Sequence, residues 1–244
     1  MILTAHQSQG IGGYLGLYHK IALADEYVYM DTVKYTKQDF INRNKIKTPQ
    51  GYLWLTIPVL TNCSDNIMIN KVKIDNNQKW REKHWKSIKN FYQKAPYFKL
   101  YEEFFDDLYS RKWEYLSDIN YYLLNYILWQ LKINTKVYKM SEYNFQGKKS
   151  DLVLDMCKQT KADLYIFGKM GVDYADINSF KNNNIGVYFQ DYNHPKYNQQ
   201  YSEFESYMSV IDLLFNEGSN SLDILMGGNI TKEELRGKYI ANYI

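Results

Sequence analysis

The period of apolar and polar positions changes several times along the chain, and each change marks an element. Ile2 to Ala5 is a short apolar run that ends at His6. The next stretch, HQSQGIGG, is built of glycine and short polar residues and reads as a loop. From Tyr14 to Ala24 the apolar residues Leu15, Leu17, Tyr18, Ile21, Ala22 and Ala24 fall on one helix face. Glu26 to Asp31 then alternates as a strand ending in an acid. Strand, glycine loop, helix and strand make a βαβ unit, whose two strands run parallel.

The following segment, Asp31 to Lys47, is polar and basic and starts at the carboxyl end of the second strand, where open α/β sheets bind ligands. Tyr52–Leu60 and Ile67–Ile74 read as two more strands, with turns at 50–51 and 62–66. The middle of the chain is helical: 80–92, then 98–109 and 115–132 beyond the break at Ala95-Pro96. Thr135–Lys139 is a short strand, 150–160 a helix with Ser150 as its N-cap, and Leu164–Phe167 a strand stopped by Gly168. Asn184–Gln190 is a further strand, 203–217 a helix ending at Gly218, and 219–244 a closing helix or tail. The pattern predicts an α/β fold: a parallel-containing sheet that begins with a βαβ unit, with an inserted helical layer over about 80–132. We take 1–218 as a single α/β domain.

Composition narrows the class. The 244 residues, 45 % of them apolar, 23 % charged and only 4 of them Pro, suffice for a buried core and are unlike a disordered or fibrous chain. No stretch has the length and apolarity of a membrane span, and the first residues lack the basic and apolar pattern of a secretory signal. Cys63 and Cys157 are too few for a disulfide framework or a structural zinc site, so a reducing, cytoplasmic setting is expected and no metal. A net charge of +3 is too close to balance to argue for nucleic acid. The aromatic content is high, with 25 Tyr, 11 Phe and 5 Trp. AT-rich codon choice explains such a bias, and a tyrosine-lined pocket for a polar ring such as a sugar fits it too.

The sharpest local feature is His6-Gln7 at the end of the first strand, with Gly10, Gly12 and Gly13 behind it. A glycine loop between strand and helix exposes N–H groups that suit phosphate or carboxylate, although the spacing is neither a Walker A motif nor a dinucleotide fingerprint. The plain alternative is a tight turn that needs glycine. A histidine at a strand end facing a ligand crevice serves as general base or phosphate donor. His84 begins a basic aromatic helix and His194 lies in the polar loop DYNHPKYNQ, so either can converge with His6, whereas His19 reads as structural. Lys37, Arg43, Lys45 and Lys47, with Asn42 and Asn44, offer charge and amide forks for phosphates or sugar hydroxyls, or form a solvated basic loop. Cys157 reads as a small core residue rather than a nucleophile. Lys139-Met140-Ser141 is too short a match to an adenylate-site motif to carry weight.

Together these pieces resemble the WbqC-like family of bacterial proteins. The opening is HQSQGIGGYLGLYHKI, then come ALADEYVYMDTVKYTKQDFINRNKIK and LWLTIPV, and later WREKHWKSIKNFYQKAPYF, ADLYIFGKMGVDY and YNHPKYNQQYSEFESYMSVIDLLFNEG, in order across residues 2–218. Ser8 and Gly13 stand where the family pattern has proline, in a loop one residue longer. The resemblance implies a place in O-antigen or other surface-glycan biosynthesis and the attachment of glycine or another aminoacyl group to an amino sugar. On that basis His6 is expected as general base, with Asp31 orienting it or holding the acceptor ammonium and His84 as a further catalytic candidate. Lys37, Arg43 and Lys45 are expected to bind phosphates. Gln7, Asn42, Asn44, His194 and Gln199 are expected to bind sugar hydroxyls or the donor carbonyl. His6, Asp31, Arg43 and one of His84 or His194 should then share a cleft. No tightly bound cofactor is expected. The donor would be an acyl thioester of coenzyme A or of an acyl carrier protein, and the acceptor a sugar nucleotide or other amino sugar. The alternatives are a nucleotide-using enzyme (nucleotidyltransferase or ATP-dependent amide ligase) and a non-catalytic sugar-nucleotide binding protein.

Overall fold

A computed structural model describes residues 1–60, 66–201 and 203–240. Cys63, the 62–65 part of the expected turn and residues 241–244 of the closing segment lie outside the described residues. β1 (Ile2–Gln7) leads through the glycine loop into α1 (Leu15–Leu23) and β2 (Glu26–Met30). An antiparallel hairpin, β3 (Arg43–Thr48) and β4 (Gly51–Thr56), follows with Lys45 opposite Trp54. The helical layer is α2 (Trp80–Tyr92), α3 (Phe98–Ser110) and α4 (Leu116–Gln130). The chain then alternates through β5 (Lys136–Lys139), α5 (Ser150–Thr160), β6 (Leu164–Phe167), α6 (Ile177–Asn182) and β7 (Gly186–Phe189). It closes with α7 (Val210–Glu217), α8 (Ser221–Met226) and α9 (Lys232–Leu235).

The main sheet is five-stranded in the order β5-β2-β1-β6-β7, and every pairing is parallel. The expected α/β fold and the parallel β1–β2 pair are therefore present. Parallel strands need covered faces, because crossovers lay helices on the sheet. The burial pattern shows both faces covered. Leu3, Ala5, Val28, Tyr165 and Phe167 pack with Leu152, Val153, Met156 and Cys157 of α5. Their neighbours one residue along point the other way: Tyr27 and Tyr29 join the cluster of α1 and the helical layer, and Ile2, Leu164 and Ile166 pack with Leu23. β1 and β2 are crossed on the α1 side, whereas α5 crosses to β6 on the opposite side. The direction of winding reverses at β1.

Three expectations change. Ile67–Ile74 is not a strand but a 3-10 turn, Ile69–Lys71, between single bridges. Met68 pairs with Lys34, Lys73 with Tyr115 and Ile74 with Val59, so its alternation is satisfied by separate partners and no ladder forms. The helix expected over 203–217 starts only at Val210, because Ser209 is pinned: its N–H donates to Lys45 O, its hydroxyl to Ile11 O, and its Oγ caps Ile211 N. Ser150 is the first helical residue rather than the cap, and its hydroxyl accepts from Asp176 N–H at 2.8 Å. The polar segment 31–47 also hides β3, whose inward residues Asn44 and Ile46 are an unusual pair. Among the described residues beyond 218, Leu225 joins the cluster of α1 and the helical layer, and α9 packs at the amino-terminal ends of the strands. Leu235 joins Ile2, Leu23 and Leu164, and Lys232 and Arg236 each pair with Asp25 at 2.7 Å.

The glycine loop is packed inward. Gly10 N–H donates to Phe40 O, while Gly10 O and Gly13 O accept from the Asn44 amide. Tyr18 hydroxyl donates to Gly12 O. A Cβ on Gly10 would stand 2.8 Å from Arg43 N and 2.9 Å from Ile41 O, both backbone. Gly10→Ala should therefore cost about 1–3 kcal/mol by overpacking, read from urea unfolding. Wild-type stability in that variant would contradict the close approach of loop and hairpin.

Candidate functional site

A cleft of about 800 Å³ opens at the carboxyl ends of β1 and β6, on either side of the point where the winding reverses. Crossovers leaving neighbouring strands toward opposite faces part there, and open α/β sheets bind ligands in that crevice. The size suits a small organic substrate. His6 and Gln7 come from the end of β1, Tyr14 and Lys20 from α1, and Phe167 and Gly168 from the end of β6.

The His6 ring is fixed by its neighbour. Nδ1 lies 2.8 Å from Gln7 O. A carbonyl only accepts, so Nδ1 carries the proton and Nε2 presents a lone pair. Tyr14 hydroxyl approaches Nε2 at 3.4 Å, a long contact. Burial, and then the positive charge of Lys20, lower the imidazole to about 4, against a smaller upward pull from Gln7 O and Asp39. His6 is neutral at physiological pH. Burial and the Asp39 charge push the Tyr14 phenol up to about 12, so it stays a donor. Gln7 is held by its amide donating to Asp39 at 2.9 Å.

Lys20 is the group that sequence reasoning missed. It is 2 % exposed on the inner side of α1, and its ammonium donates to Ala5 O at 3.1 Å. Side chains on a helix lean toward its N-terminus, which carries the ammonium back along β1 to the cleft. Burial lowers it to about 8. A signal in the sequence is a lysine within the largely apolar run LGLYHKIAL.

The other expected residues lie elsewhere and do not line this cleft. Both Asp31 carboxylate oxygens accept from Ser141, its N–H at 2.9 Å and its hydroxyl at 2.7 Å. His84 sits in a separate hollow beside Trp54 and Trp80, its Nε2 at 3.0 Å from Thr56 O. Asn42 donates to Ile57 O and Asn44 to the glycine-loop carbonyls, so both amides tie the hairpin to its surroundings. The Arg43 guanidinium lies over Trp54 and donates to Gln38 O, and Lys45 Nζ lies over Tyr52. Lys37 is exposed on the loop before the hairpin. His194 accepts from Tyr207 N–H. Gln199 donates to the buried Asp212, which also accepts from Tyr92 and Tyr197. The expected common cleft thus gathers His6 and Gln7 but not Asp31, Arg43, His84 or His194. Gly10, Gly12 and Gly13 do not line the cleft, and the N–H groups of Gly10 and Gly13 donate to backbone carbonyls of Phe40 and Gly10.

Cys157 is fully buried against the sheet, and desolvation raises its thiol far above the ordinary range. Among the described residues no group of His, Cys, Asp or Glu is placed to hold a metal ion, and no helix is long and apolar enough to cross a membrane.

The profile of the WbqC-like protein family matches residues 13–224, and the chain belongs to that family. An uncharacterized protein of Mycobacterium tuberculosis, Rv1507c, is 32 % identical over 212 residues, covering 86 % of this chain and 91 % of that protein. A probable DNA polymerase of Podospora anserina is 23 % identical over 256 residues, covering 89 % of this chain but 20 % of that much longer protein.

The depressed His6 value has a thermodynamic consequence. A histidine whose folded-state value, about 4, lies below the unfolded 6.5 supports folding fully above 6.5. That support is withdrawn as pH falls from 6.5 toward 4, because the unfolded chain takes up a proton the folded one refuses. NMR of the imidazole Cε1–H should find His6 neutral from pH 8 to pH 5. His6→Gln should lose less stability than wild type between pH 7 and pH 5. A His6 midpoint near 6.5 would mean that its ring sits in water.

Proposed function

We propose that this WbqC-like protein is an acyl- or aminoacyltransferase that forms an amide on an amino sugar, a nucleotide-linked one, for bacterial surface polysaccharide. What carries the reading is His6: a neutral imidazole at the crevice, its Nδ1–H held by Gln7 O and its Nε2 lone pair turned toward Tyr14. The neutral sugar amine attacks the carbonyl of an acyl thioester borne by coenzyme A or a carrier protein. As the C–N bond forms, Nε2 accepts one amine proton. The C–S bond then breaks with its electron pair left on sulfur, and the proton passes from His6 to the thiolate. Tyr14, which keeps its proton, donates to the carbonyl oxygen as it gains charge. Negative charge arriving with substrate raises His6 from its empty-cleft value toward the working pH, where a base is most effective.

The strand order favours a second reading, a nucleotide-using amide ligase, because a crevice at a reversal of winding is a common place for nucleotides. A melting-temperature panel separates the two. Stabilisation by acyl-coenzyme A and sugar nucleotides favours the transferase, and stabilisation by ATP with Mg²⁺ favours the ligase.

His6→Ala should lower kcat by about 10²–10⁴-fold in an assay of amide formation on an amino sugar, with the fold retained by circular dichroism. Cys157→Ser should keep turnover, since its sulfur is inside the α5–sheet core and away from the cleft. An active His6→Ala beside a folded but dead Cys157→Ser would overturn direct transfer and move the acyl group onto the thiol.

A further inference from the structure

The cleft contains a buried positive charge without a counter-ion. Lys20 has three N–H donors and no acceptor capacity, and its recorded partner is the single carbonyl of Ala5. Among the described residues no carboxylate forms an ion pair with it. Burying an ammonium is expensive unless it is paired and hydrogen-bonded. Lys20 is nonetheless almost wholly enclosed, and its side chain forms part of the cleft wall.

The surrounding groups point the same way. His6, which feels the Lys20 charge, is neutral, and Tyr14 remains a donor. Lys149 and Lys169 stand at the mouth, the latter exposed and paired with Asp191 at 3.1 Å. On the acidic side, Asp173 borders the cleft, and Asp39 is engaged by Gln7 and by the N–H of Phe40. Lys37, Arg43 and Lys45, expected to hold phosphate, do not line this cleft, and Arg43 and Lys45 lie over aromatic rings of the hairpin.

We infer that Lys20 is the anion-binding group of this cleft, pairing through its two unused N–H donors with an oxyanion of the substrate, a phosphoryl or a carboxylate group. The inference rests on the cleft being the substrate site and not on acyl transfer. A phosphoryl group would come from a nucleotide-linked sugar, and a carboxylate from an aminoacyl or acid substrate.

Calorimetric titration at constant ionic strength with inorganic pyrophosphate and, separately, with acetate tests this. Wild type should bind at least one of them. Lys20→Met, which keeps the apolar stem and removes the charge, should bind that anion at least about tenfold more weakly, with a melting temperature no lower than wild type in its absence. Pyrophosphate alone identifies a phosphoryl site, and acetate alone a carboxylate site. A measurement on wild type makes the result independent of the variant's folding. In [¹³Cε]lysine NMR the Lys20 midpoint, about 8 in the empty protein, should rise by at least about one unit on saturation with the anion that binds. Unchanged affinity in Lys20→Met, a Lys20 midpoint that neither anion moves, or no binding of either anion overturns the inference. Anion binding with the expected loss in Lys20→Met, but no amide formation in any assay, would instead sink the transferase reading and leave this one standing.

Discussion

The structure depends on β1, the middle strand of the sheet, being paired in parallel on both sides. β1 sits between β2 and β6, so no edge of it is free, and both faces must be covered by helices. The crossover through α1 covers one face and α5 the other. With the crossovers diverging at the carboxyl end of β1, no helix can fill the space beyond it. The last residues of that strand, His6 and Gln7, therefore end in a crevice rather than in the core. The site is a consequence of the winding, and its chemistry is whatever residues the strand end and the first turns of α1 present.

The remaining polar groups of this region hold the strand end in place. Ser8, immediately after Gln7, is completely buried, shares a hydrogen bond with the Tyr29 hydroxyl and accepts from the Asn120 amide, both at 2.7 Å. That pair links β2 and the helical layer to the start of the loop. A proline at this position could not make those bonds. Gly13 has φ +69°, a value closed to proline. Ser8 and Gly13 thus belong to a loop anchored by side-chain hydrogen bonds. Removing one partner from such a buried network leaves the others unsatisfied.

The legible and illegible parts of the chain differ in a physical way. β1, α1, β2 and β6 were readable because each shows its own period or a bounded apolar run, and local pattern decides where such segments begin and end. Ile67–Ile74 has the same alternation, but its bridges go to three separate segments, which no local pattern reveals. At the site, His6 and Gln7 were readable as the end of a strand. The amide forks of Asn42 and Asn44 are legible as hydrogen-bonding groups, but their partners are backbone carbonyls of the protein. Lys20 was not readable, since a helical lysine ordinarily reaches solvent, and only the docking of α1 on β1 determines that this one cannot.

Lys20 also bears on the state of His6. Both are bases, both are enclosed by the same cleft, and two positive charges side by side in a low-dielectric space repel strongly. The enclosed pair therefore carries a single proton charge near neutral pH, and it resides on the amine, whose intrinsic affinity for a proton is far greater. Burial is the larger cause of the neutral imidazole, and the ammonium beside it adds to the effect. The ammonium also makes the pair responsive. An anion seated against the ammonium cancels the repulsion that, after burial, most depresses His6. That part of the depression would go when an anion is seated, while burial, the larger cause, stays. Coupling of this kind requires only that the two side chains share one desolvated space, and the packing of α1 on the central strand is what puts them there.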